Sequence, residues 1–171
     1  KASGGSDGAA VARAYSALGW SIGASSEAEW LKLSASGLSR TLDGFLEQLA
    51  RSLTEAEYSE SETELWRENA AEELTSRRAQ PGFLSEERLR AELFPGHPYG
   101  RGAADEAGIA AVSAPRLRAF HARLVRPQGA HLVLAGDFDP AAAAKRLERA
   151  LSGWKPGRPA ASPPPLPAHG A

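Results

Sequence analysis

The chemistry open to this chain is bounded by four histidines, His97, His121, His131 and His169, and by the absence of cysteine. Without thiols there is no disulfide, no thiolate metal site and no cysteine nucleophile, and cysteine usage leaves the compartment open. No two of the histidines stand at a spacing that sets them on one helix face as joint metal ligands. His97 and Tyr99 border a Gly-rich stretch over 96–108 and could polarise a carbonyl. The same residues, set among prolines and glycines, also read as parts of a turn. Asp137 and Asp139 could form a carboxylate pair, although Asp139 directly before Pro140 reads as a helix N-cap. Over 55–73 the only base among many acids is Arg67. Such a face could draw in basic peptides or cations, or simply be solvated, with Glu73 pairing to Arg77 one turn later.

These groups have to be positioned by helices, for the most part. Val11, Tyr15 and Leu18 recur at helical spacing, with Gly19 as the C-cap. Trp20, Ile22 and Ala24 then alternate with small residues, and Trp30, Leu31 and Leu33 follow a Ser-Ser-Glu turn, which predicts a strand pair. Leu42, Phe45, Leu46, Leu49 and Leu53 form an apolar stripe behind Ser39 or Thr41 as caps. A further helix is expected from Ser59 or Ser61 to Arg78, stopped by Pro81 and Gly82, and another that begins at Ser85 and ends before Pro95 and Gly96. Ser113 and Pro115 open a helix with Leu117, Phe120 and Leu124 towards the core. The apolar run 131–135 reads as a buried strand, and Asp139 caps a last helix ending at Leu151.

The resulting fold class is α+β: a mixed or antiparallel sheet of few strands covered by several helices. The sheet is thin for so many helices, so strands are expected to be missing. With 171 residues the chain suits one domain, expected over 1–154, followed over 155–171 by a Pro-rich linker to another domain. Lys1 is not an initiator methionine and the chain has no methionine, as expected of a piece of a longer protein. The net charge of -1 gives no reason to expect nucleic acid or an anionic membrane as partner. No apolar run reaches the roughly 20 residues of a spanning helix. A soluble piece, cytoplasmic or periplasmic, is expected.

Several segments carry a family resemblance. Leu93-Phe-Pro-Gly-His97-Pro98-Tyr99-Gly100-Arg101 resembles the HPYGR element of the insulinase-like (pitrilysin-type) zinc metallopeptidases. The helix from Ser113 to Phe120 and the run Arg126 to Pro140 are similar to that family's last helix, strand and G-D-x-D-P turn. Upstream, Trp66-Arg67-Glu-Asn-Ala-Ala-Glu72-Glu73-Leu74 is similar to its glutamate helix, and Leu18 to Glu27 to its L-G-x-x-x-N-A-x-T strand. The order agrees, over about 1–159.

The resemblance implies an N-terminal homologous domain that lacks its first strands and the H-x-x-E-H helix carrying two histidine ligands and the general base. It implies zinc as cofactor of the complete protein, with Glu73 as the third ligand, or Glu72 if the alignment slips by one; these residues alone would not hold the metal tightly. Trp66 stands where active members often carry a glutamate, and its plainer reading is a core aromatic. No catalytic residue is assigned, and the family's substrate-binding Arg and Tyr belong to a later half. The parent protein would be a zinc endopeptidase enclosing peptides between homologous halves. The alternative is a non-catalytic homologue that acts as scaffold or peptide-binding subunit. Either way the implied partners are peptide or unfolded polypeptide and a second homologous domain or subunit, with no nucleic acid and no membrane.

Overall fold

A computed structural model describes residues 2–3, 8–157 and 162–167. A two-residue strand, β1 (Ala2–Ser3), precedes α1 (Gly8–Ala17), which buries Tyr15. Gly19 closes that helix with φ 73°, the left-handed conformation that only glycine takes freely. The expected ribbon follows as β2 (Ser21–Ser26) and β3 (Leu31–Ser36), antiparallel with Ser21 opposite Ser36 and Ser26 opposite Leu31.

The apolar stripe folds as α2 (Leu42–Thr54) and buries Leu42, Phe45, Leu46, Leu49 and Ala50. Tyr15, Leu42, Phe45, Leu46 and Leu49 make the core, and Trp20, Ile22, Leu134, Phe138 and Leu147 pack on its margin. The Trp20 and Phe45 rings stack with centroids 4.0 Å apart. Gly37 permits this, because a Cβ there would lie 2.2 Å from the Trp20 ring. Thr41 does not cap α2 with its side chain; its hydroxyl instead donates to the Leu18 carbonyl at 2.7 Å and accepts from Trp20 Nε1 at 3.0 Å.

The strand β4 (Ala56–Glu57) pairs antiparallel with β1 and leads into α3 (Glu60–Arg78). Ser59 caps α3 as expected, accepting from the Glu62 amide at 3.2 Å. The next helix differs from expectation. α3 ends at Arg78, ahead of Pro81, as expected, but Pro81 also opens the next helix, in the first turn of α4 (Pro81–Leu93), where a missing N–H costs nothing. Ser85 sits inside that helix and donates to the Pro81 carbonyl. After α5 (Glu106–Ala110) comes α6 (Ala114–Leu124), on which Phe120 and Leu124 are about half exposed instead of facing the core.

The run 131–135 is not a strand: it has no ladder partner among the described residues. Leu134 reaches the core margin, while Val133 is 89% exposed. A strand is made by its neighbour's hydrogen bonds, and no described strand is paired with this run. The chain ends its helical part in α7 (Pro140–Ala150), capped by Asp139, which accepts from the Ala142 amide at 2.6 Å. The architecture is α+β, with helices predominating and two separate antiparallel strand pairs among the described residues. No helix is long and apolar enough to cross a membrane.

Candidate functional site

At about 100° per residue, α3 divides its side chains into two opposed faces. One carries Glu64, Arg67, Glu68 and Ala71, which with Glu106 and Ile109 line a shallow cavity of about 370 Å³ against α5. Its charges are largely matched. Arg67 pairs with Glu64 and donates to the Val112 carbonyl at 3.1 Å, and Arg78 pairs with Glu106. The Glu106 carboxyl is held below its ordinary value first by its own backbone N–H and then by Arg78.

The opposite stripe holds Trp66, Glu73 and Arg77, spaced by seven and four residues. Trp66 is 50% exposed, not the core aromatic expected, because α3 buries only Thr63 and Leu74. The Glu73 side chain is 70% exposed and lies 3.9 Å from Arg77, whose guanidinium also sits over the Phe83 ring at 4.5 Å. Zinc takes at least three protein ligands. Among the described residues no three His, Asp or Glu side chains converge, and the group next to Glu73 is a cation. The described residues therefore do not by themselves make up a zinc site.

His97 and Tyr99 form a tight turn with Phe94. The His97 Nδ1 accepts from the Tyr99 amide at 3.1 Å, and Gly100 is needed because a Cβ there would lie 2.2 Å from the Phe94 carbonyl oxygen. The Tyr99 hydroxyl donates to Glu29 in the β2–β3 turn, which raises the phenol above its ordinary value. The turn ties α4 to the hairpin.

A polar junction went unmarked in the sequence. His121 on α6 bonds the Tyr58 hydroxyl through Nδ1 at 2.9 Å and donates from Nε2 to the Leu53 carbonyl at 2.8 Å. Arg118 adds a bond to the Tyr58 carbonyl at 2.8 Å. Burial raises the Tyr58 phenol above its ordinary value. The only local signal was Tyr58 standing beside the Ser59 cap; that it meets His121, 63 positions away, is tertiary information. Asp137 and Asp139 do not act as a pair, since Asp139 is committed to its cap. His169 lies outside the described residues.

Comparison with known proteins places this geometry. Residues 111–171 match the family model of the peptidase M16 inactive domain. No curated protein matches the sequence. The fold is shared with two solved structures. The peptidase M16 inactive domain from Pseudomonas fluorescens superposes with TM-score 0.89 at 19% identity, covering 97% of this chain and 41% of that one. A protease from Helicobacter pylori gives 0.80 at 18% identity, covering 98% and 40%. The chain thus spans about two fifths of the length of each of these solved chains.

Proposed function

We propose that this chain belongs to the peptidase M16 family as a non-catalytic unit, forming one wall of a peptide-enclosing assembly with a second homologous domain or subunit. The observation that carries this reading is the match of 111–171 to the inactive-domain model, supported by the likeness of fold over 97% of the chain. The insulinase-like resemblance of the HPYGR turn points to the same family. On α3 the stripe supports it too: an indole at Trp66 cannot do the work of a carboxylate. The wall would hold extended or unfolded polypeptide without cutting it, using exposed apolar side chains such as Trp30, Leu31 and Val133.

A second reading keeps Glu73 as a zinc ligand of an endopeptidase whose remaining ligands come from other polypeptide. It is favoured by the exposure of that carboxylate. The two separate in one assay, using the chain assembled with its second homologous domain or subunit, as parent and as Glu73→Gln, with fluorescently labelled unfolded casein and zinc, with and without a chelator. The non-catalytic reading expects casein to be bound, with zinc content and cleavage the same in the parent and in Glu73→Gln. Chelator-sensitive cleavage together with a bound zinc, both lost in Glu73→Gln, overturns it in favour of the second. Casein that neither binds nor is cut removes the peptide-holding role.

A further inference from the structure

His97 is only 5% exposed, and both of its ring nitrogens are engaged. Nδ1 accepts from the Tyr99 amide, so the ring proton sits on Nε2. That N–H donates at 3.0 Å to the carbonyl oxygen of Pro164, 67 positions along the chain. Around the imidazole, the Tyr99 ring lies edge-on with centroids 4.5 Å apart, and Phe94 closes the cluster at 6.3 Å.

The acceptor belongs to a distinctive segment, Ser-Pro-Pro-Pro-Leu-Pro over 162–167. Each proline fixes its own φ, and the residue before each is driven to extended geometry, so the stretch is pre-formed as a polyproline II strand. Such a strand makes no internal hydrogen bonds and presents free carbonyl oxygens. A buried N–H among aromatic rings is the complement of that surface, and little entropy is lost when the strand docks.

The chain between is laced down as well. Trp154 Nε1 donates to the Val125 carbonyl at 3.0 Å, Arg126 Nη1 to the Lys155 carbonyl at 3.4 Å, and the Gly157 amide to Gln128 Oε1 at 2.7 Å. Residues 154–157 are thereby held along the loop after α6.

We propose that Phe94, His97 and Tyr99 form a docking surface for a proline-rich extended segment, and that the chain's own residues 162–167 occupy it as a strap. The strap joins the C-terminal stretch to α4 and, through the bond of Tyr99 to Glu29, to the β2–β3 hairpin.

The test compares the full chain with a variant in which Pro163, Pro164 and Pro165 are all replaced by Gly, using hydrogen exchange read by mass spectrometry. Amides of 97–101 should exchange about tenfold faster in the variant, the effect of losing one part-buried hydrogen bond and its pre-formed partner. Amides of α2 should be unchanged. A synthetic hexapeptide Ser-Pro-Pro-Pro-Leu-Pro at about 1 mM, the range fitting so small a contact, should restore protection in the variant. Equal exchange of 97–101 in both proteins overturns the proposal, as does a hexapeptide that restores nothing. Faster exchange throughout α2 also overturns it, because the prolines would then act on global stability and not on a local surface.

Discussion

α2 and α3 sit side by side in the sequence and are built on opposite plans. α2 spends its apolar stripe on the core, with Leu46 at 1% exposure. α3 is longer, yet buries only Thr63 and Leu74 and leaves Trp66 half exposed. It is held instead at its ends and along its surface, by the Ser59 cap and by pairs such as Arg67 with Glu64. Capping and surface pairing each supply about 1 kcal/mol or less, against several for a buried aliphatic side chain. The lesson is that one helix supplies most of the core while the other leaves an apolar side chain on an exposed face.

The contrast can be broken most directly by truncation. Leu46→Ala should cost about 3 kcal/mol in denaturant unfolding, through lost transfer energy and a residual cavity. Trp66→Ala should cost under about 1 kcal/mol by the same measurement. Equal losses would mean that the α3 stripe is packed and the comparison mistaken.

An intermediate effect is expected where the two regions meet. His121→Ala removes the bonds to Tyr58 and Leu53 together and should cost about 2 kcal/mol, since it strands part-buried polar groups. Tyr58 also gives a sign in pH. Its phenol is raised in the folded state from 10.0, so its contribution is complete below that value. As pH climbs past it, the unfolded chain ionises first and stability falls until the folded phenol titrates. Tyr58→Phe should therefore lose less stability than the parent between about pH 9 and about pH 11, read from urea midpoints. Tyr15, raised by burial against the Ser52 bond that lowers it, would leave part of the decline in place.

The smallest effects sharpen the picture of α3. Ser59→Ala should cost about 1 kcal/mol by thermal unfolding through the exposed helix N-terminus. Glu73→Gln should change stability by less than about 0.5 kcal/mol, because its pair with Arg77 is long and solvated. A larger loss at Glu73 than at Ser59 would place that carboxylate in a structural network.

What was legible in the amino-acid order was short-range. The α2 stripe, the β2–β3 alternation, the Gly19 C-cap and the Ser59 and Asp139 N-caps all depend on side chains within about four residues of one another, and each formed where expected. The start of α4 was misplaced at Ser85 because a proline that ends one helix can also begin the next, and only the backbone bonds decide this.

The unfamiliar parts are all long-range. Residues 131–135 have the apolar composition of a strand, but a strand requires a second one beside it, and the described chain brings none there. Trp66 and Phe120 have core chemistry, but whether an indole or a phenyl is covered depends on which helix packs over it. The family motifs were readable as text, whereas the engagement of His97 with Pro164 and of His121 with Tyr58 was not. Sequence by itself determined the local elements, because caps, turns and periodicity act between near neighbours. Tertiary structure alone decided which elements found partners, because burial and strand pairing join residues whose separation along the chain carries no record of their contact.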